Sequence, residues 1–231
     1  KIIFALTHNY SAYPMLREAK SLVQDGKIGE IMLFNVEYPQ GYTVAVTKKN
    51  EASTLKWRLD KKMSGPSMIL SEIGTHAYHL LRYVTNLEVR EVSAEVNSLS
   101  PELSVDDNAF IILRMKNKAR GSIWVSSAAT GGENGLKIRI YGNKGAVEWF
   151  QDEPNHIKFT ELGQPTKIIT RASNSVSDLS LKSKLSTLKK LLLQVSCLEP
   201  SKSLSNTKTF LECFEFLICP LPPLTVELDG Y

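Results

Sequence analysis

Cysteine is scarce in this 231-residue chain, and all three residues, Cys197, Cys213 and Cys219, lie beyond position 196. Their spacings match no common zinc pattern, so neither a zinc knuckle nor a disulfide framework follows, and free thiols in a reducing compartment are the simplest reading. Long apolar runs are also lacking. None reaches the roughly 20 residues that a membrane helix needs, and the opening KIIFALTHNY has neither a basic n-region nor a small-residue cleavage site. The expectation is a cytoplasmic protein with no membrane contact. The formal charge of +4 is not gathered into a stripe, because only Lys48-Lys49, Lys61-Lys62 and Lys189-Lys190 are adjacent pairs. That excludes a nucleic-acid surface. There is no repeat period and no G-x-G-x-x-G.

What is present is ordinary globular composition, 42% apolar and 23% charged. Residues 2 to 6, IIFAL, read as a buried parallel strand. The run YSAYPMLREAKSLVQDG follows, with Pro14 where a first helical turn tolerates it and Met15, Leu16, Ala19, Leu22 and Val23 at helical spacing; Gly26 stands at the C-terminal cap. One strand and one helix cannot cover a parallel sheet, so residues 1–26 read as the end of a larger α/β unit. From Ile28 the period becomes two in IGEIMLFNVEYP. A polar loop from Tyr38 to Ser67 is longer than a connector requires. A helix is expected from Met68 to Thr85, with Ile69, Ile73, Leu80, Leu81 and Val84 as its stripe. Seven strand-like segments follow: VREVSAEV, NAFIILRM, ARGSIWVSS, LKIRIYG, GAVEWF, HIKFTEL and TKIITR. They are separated by turns such as Asn117-Lys118 and Gly142-Asn143-Lys144-Gly145. The pattern predicts an α+β fold, a large and mostly antiparallel open sheet with a helix on one face, over residues 27–171. Residues 172–231 read as an atypical tail, poorly ordered or non-native.

The chemistry concentrates in SEIGTHAYHLLRY, residues 71 to 83. Glu72, His76 and His79, four and then three apart, share one helical face. Imidazole and carboxylate suit zinc, yet the zincin pattern needs histidines four apart with the Glu between them. The same face could equally be packing, with both rings satisfied by neighbours. Or it could move protons, since histidine titrates near working pH and a carboxylate one turn away orients it. Spacing alone leaves all three open. Asp106 and Asp107, ahead of a strand, read as turn residues, and Tyr10 and Tyr13 as staples of the first helix.

Four stretches taken in order resemble the Gfo/Idh/MocA family of NAD(P)-dependent oxidoreductases, the relatives of glucose-fructose oxidoreductase and inositol dehydrogenase. They are THNYSAYP at 7–14, GKIGEI at 26–31, KWRLD at 56–60 followed by SGPSMILSEIGTHAYHL, and the strand series DDNAFIILRM, ARGSIWVSS and RIYGNKGAVEW. The resemblance covers about residues 1–171. It implies that His76 is the catalytic histidine, exchanging a proton with a substrate hydroxyl while hydride passes to nicotinamide, and that Glu72 stands where relatives carry its aspartate partner. It implies cofactor contacts for His8, Asn9, Trp57 and Arg58, the last through phosphate, and substrate contacts for His79 and Tyr13. No metal site follows from it. The implied cofactor is NAD or NADP, the substrate a sugar, cyclitol or similar polyol, and the assembly a homo-oligomer paired through an apolar outer sheet face.

Two departures qualify those expectations. The family's glycine fingerprint and its Glu-Lys-Pro lysine occur nowhere in these residues. The chain is therefore expected to be a remnant of the Rossmann domain (1–26) joined to a substrate domain (27–171), and inactive alone. The alternative is a non-catalytic cofactor-sensing or assembly module with the same fold. In the tail, nothing resembles the segment PAGHPEAFLEAF of relatives. SCLEPSKSLS read one base later, under one permitted codon choice, gives PAWSHPKAFL, so the final residues are expected to arise from a frame error or a misplaced exon boundary.

Overall fold

The computed structural model describes residues 8–44, 56–100, 102–173 and 176–177. The expected strand at 2–6, the middle of the long loop and the tail beyond 177, with its reading-frame question, lie outside the described residues.

A 3-10 turn at Asn9–Ala12 leads into α1, Pro14–Gln24. Proline at the first helical position has no N–H to waste. The helix ends in a Schellman arrangement: the Lys27 N–H donates to Leu22 O (3.0 Å) and the Gly26 N–H to Val23 O (3.1 Å), with Gly26 at φ +70°. Only a residue without Cβ enters that region freely. Strand β1, Ile31–Pro39, follows, then the short helix α2, Lys56–Leu59.

The helix expected from Met68 to Thr85 forms, with one difference. Leu70–Gly74 is a π turn, closed by a Thr75 N–H to Leu70 O bond, and regular α-helix resumes as α3, Thr75–Thr85. Such π insertions add one residue to a turn and accumulate at functional sites. Glu72 lies within the π turn and His76 at its exit. Asn86, in the left-handed region at φ 55°, ends α3.

The eight strands expected after residue 26 are present: β1, then β2 Val89–Asn97, β3 Asn108–Met115, β4 Arg120–Ser126, β5 Lys137–Gly142, β6 Gly145–Phe150, β7 His156–Glu161 and β8 Lys167–Thr170. They form one sheet in the order β2-β3-β4-β1-β5-β6-β7-β8. Only β1 against β4 is parallel, and every other pairing is antiparallel. At the parallel seam, Phe34 pairs with Gly121. A Cβ on Gly121 would lie 2.2 Å from Phe34 O and 2.4 Å from the Phe34 ring, so only glycine fits under that aromatic.

Alternation sends Val36, Ile111, Ile123, Ile138, Val147 and Phe159 to one face, where α1 and α3 cover them. Trp149, fully buried, donates its indole N–H to Pro154 O. The buried side of α1 (Met15, Leu16, Ala19) belongs to this same core, so the expected boundary at residue 26 falls inside one continuous hydrophobic cluster.

The outer face differs from the apolar surface expected. Leu33, Phe110 and Ile112 are about half exposed there, and Phe110 stacks on Trp124. An Asn35–Ser122 bond (3.1 Å) lies between them, and an Arg139–Glu37 ion pair (2.6 Å) beside them. The central strands carry polar residues at the outward register positions that β-branched residues occupy on the inner face.

Candidate active site around His76

The site is assembled where the 3-10 turn, the end of β1 and the π turn meet. His76 leaves α3 half-buried. His8 presents its ring edge-on to His76, with centroids 5.5 Å apart, and stacks flat on His79 at 4.0 Å. Tyr83, one turn beyond His79, continues the stack at 6.1 Å, and Lys20 from α1 sits over the Tyr83 ring at 4.2 Å. On the other side Tyr10 meets His76 edge-on at 5.4 Å. The Tyr10 hydroxyl bonds that of Tyr38, which donates to Asn134 Oδ1 at 3.0 Å, and Gln40 donates to the same oxygen at 2.7 Å. A chain of hydrogen bonds thus fixes the plane of Tyr10 against the histidine.

Three imidazoles this close do not all carry charge. Burial holds His79 down to about 3, helped by the charges of His8, His76 and Lys20. Burial likewise brings His8 to about 4, with His76 adding to it. His76 is lowered by burial and raised in part by Glu72. Burial wins because the Glu72 charge is already claimed: Arg58 Nη1 lies 2.9 Å from Glu72 Oε1, and the Tyr42 hydroxyl donates to Oε2 at 2.6 Å. The phenol of Tyr42 is in turn pushed up, by burial first and by Glu72 second. At neutral pH the site therefore presents uncharged imidazoles, which accept protons and bind hydroxyl groups.

Glu72 and His76 share a face as expected, but the dyad implied by the resemblance takes another form. The carboxylate turns to Arg58 and Tyr42, and the buried His76 Nδ1 has no hydrogen-bond partner among the described residues. The influence of Glu72 on His76 is through space, not through a bond. His8, Glu72, His76 and His79 come together. Arg58 joins them through Glu72, with Trp57 stacked on its guanidinium at 5.2 Å and otherwise 53% exposed. Asn9 is exposed at the start of the 3-10 turn. Tyr13 stands apart from the imidazoles, between Tyr10 (6.0 Å) and the buried Trp149 (5.6 Å). Among the described residues no three His, Cys, Asp or Glu side chains are placed to hold a metal ion, and no helix is long and apolar enough to cross a membrane.

Two contributors lay outside the sequence reading. Tyr42 sits in a polar loop with no periodicity to point at it. Asp106 is more than a turn residue. Its carboxylate accepts from Met68 N (3.0 Å), Ile69 N (3.1 Å) and Ser67 Oγ (2.5 Å), capping the helix that carries the site from 38 positions away. Its neighbour Asp107, fully buried, accepts from Leu99 N (2.7 Å) and Ser100 N (2.9 Å). A small cluster of Leu59, Met68 and Val105 packs α2 against the same helix start, which places Arg58.

A histidine-bearing helix laid over an open, mostly antiparallel sheet defines this as an α+β domain. The chain belongs to the GFO/IDH/MocA family, whose C-terminal domain matches residues 16–148. It is 27% identical over 178 residues to the uncharacterized oxidoreductase YfiI of Bacillus subtilis, covering 76% of this chain and 45% of that protein. The crystal structure of an oxidoreductase from Sinorhizobium meliloti is 35% identical, with a TM-score of 0.67 over 79% of this chain and 47% of that one. The inositol dehydrogenase homolog of Azotobacter vinelandii, solved with NADH and myo-inositol, is 26% identical with a TM-score of 0.67, covering 76% and 44%. The chain spans less than half the length of the curated relatives it matches.

Proposed function

We propose that this chain is the substrate-binding domain of an NAD(P)-dependent oxidoreductase acting on a sugar, cyclitol or related polyol, and that it does not turn over alone. The observation that carries the reading is a half-buried, uncharged His76 flanked by His8 and His79. Such a ring takes the proton of a substrate hydroxyl as the attached carbon loses hydride. When bound, the nicotinamide supplies the acceptor for that hydride. Burial, which lowers His76, keeps it ready to accept rather than already protonated. His79 and His8 hold further hydroxyls, and Glu72 tunes His76 from a distance. Of the residues expected at the cofactor, Asn9 and Trp57 are exposed and open to a dinucleotide, and His8 lies against His76, where substrate and cofactor would meet. Arg58 is engaged by Glu72 and fits a positioning role better than a phosphate ligand. The polyol class is supported by the myo-inositol in the Azotobacter relative. Tyr13, packed on Trp149, is the weakest of the substrate contacts.

The fourth histidine, His156, lies at the start of β7 beside Glu153 (3.6 Å) and serves as an internal control. Titrating the labelled chain with myo-inositol and a panel of neutral sugars should shift the ring resonances of His76 and His79 saturably and leave His156 still. No NADH should form when NAD+ is added. A panel in which no compound moves His76, or in which His156 moves equally, overturns the reading.

One observation favours the non-catalytic alternative: Glu72 faces Arg58 and Tyr42 instead of bonding His76. A glycine fingerprint and an active-site lysine in the same polypeptide or a stable partner would favour the enzyme; a natural context without either would favour the sensing or assembly module.

A further inference from the structure

Arg58 and Glu72 are the charged pair beside His76, and their charges cancel. The guanidinium lies 2.9 Å from Oε1, and the second carboxylate oxygen takes the Tyr42 hydroxyl at 2.6 Å, so both oxygens of Glu72 are used. The side chains remain partly open, 35% exposed for Arg58 and 20% for Glu72, so a ligand could reach the guanidinium from solvent. The rings around His76 are neutral imidazoles and a phenol. Among the described residues, the cations along the imidazole stack are Lys20, over the Tyr83 ring at its end, and Arg17, which is buried. Tyr83 and His79 stand between Lys20 and His76.

We propose that Glu72 sets the charge selectivity of the site: by occupying Arg58 it admits an uncharged polyol and turns away a phosphorylated or carboxylated one. The inference rests on the function proposed above and narrows its substrate class. An anion that approaches Arg58 must settle beside the Glu72 carboxylate, where like charges repel at short range. A hydroxyl meets no such penalty, because it donates to one partner and accepts from the other. The side-chain length at position 72 matters for the same reason. A glutamate reaches both Arg58 and Tyr42 across the widened π turn, whereas an aspartate, shorter by one bond of about 1.5 Å, could not hold both and would leave the guanidinium available.

The test compares the chain with its Glu72→Gln and Glu72→Gln/Arg58→Gln variants. Each is titrated with inorganic phosphate and with glucose 6-phosphate, following the His76 ring and the Trp57 indole by NMR. Glutamine keeps the shape and can still accept from Tyr42, so the fold is expected to persist; Glu72→Ala, read the same way, serves if it does not. The expected result is phosphate binding tightened about tenfold or more by Glu72→Gln, the effect of removing one nearby like charge under solvent screening. The gain should vanish in the double variant. Equal phosphate affinity for the chain and Glu72→Gln overturns the proposal, as does a gain that survives loss of Arg58. Myo-inositol is titrated in parallel. A protein that takes myo-inositol at His76 yet shows no phosphate gain sinks the charge selectivity alone and leaves the polyol reading standing.

Discussion

Single side chains here are governed by what burial does to an imidazole. His8 and His79, held to about 4 and about 3, bind no proton in the folded state until well below the value of about 6.5 that they have in an unfolded chain. As pH falls through 6.5 the unfolded chain gains protons that the folded one does not. Stability is therefore fully present above that value and declines toward the folded-state values. Between about pH 7 and pH 5, above the usual carboxylate range, the melting temperature should fall with acidification. His79→Phe, which keeps a flat ring on His8, should flatten that dependence. A melting temperature independent of pH in this window, or an unchanged slope in the variant, would show that the stack is not held neutral. The stretch 71–83 with Glu72, His76 and His79 was legible as a shared helical face, but its meaning was not. Which way Glu72 turns depends on Arg58 and Tyr42, which lie 14 and 30 positions before it.

At the level of elements, the helix at 68–85 was readable from its stripe of Ile69, Ile73, Leu80, Leu81 and Val84. The π turn within it was not, because apolar periodicity over a few residues does not separate 3.6 from 4.4 per turn. Half of its N-terminal cap is local, since Ser67, immediately before the first turn, accepts from the Leu70 N–H at 3.3 Å; the other half was not legible. Local rules look for a capping residue immediately before the first turn, whereas the carboxylate that bonds Met68 and Ile69 N–H comes from Asp106 across the fold. Asp106→Ala should cost about 1–2 kcal/mol, the usual loss for a helix cap. The urea midpoint should fall with an unchanged slope, and exchange at the Met68 and Ile69 amides should quicken. Unchanged protection at those amides would mean that the cap is not what holds the helix start.

For the molecule as a whole, eight strands on one sheet were legible because the period of two is sharp and the turns between strands are rich in Gly and Asn. Their order was not. Nothing local in IMLFNVEYP says that it runs parallel to β4 and antiparallel to β5 at the sheet centre. The outer face also came out mixed, since outward positions can be read as polar or apolar strand by strand while the patch they form depends on register. Half-exposed Phe110, Ile112 and Leu33, ringed by Glu37 and Arg139, still support pairing of two copies through this face. Polar-rimmed apolar patches are the usual form of such contacts. Ile112→Lys, on the outside of β3, should leave the melting curve of a monomer intact and lower the mass found by sedimentation. If the mass is the same with and without the lysine, this face does not pair.

The order of residues alone determined the class of fold and the helix that carries the site, because both follow from periodicity over short stretches; His8, Glu72, His76 and His79 were singled out by the family resemblance that the sequence carries. Tertiary structure decided what those groups can do. The partner of Glu72, the loss of charge at His8 and His79 and the distant cap from Asp106 all arise when segments far apart in sequence share a water-poor space, where burial and a neighbour at 3 Å outweigh anything that the local chain encodes.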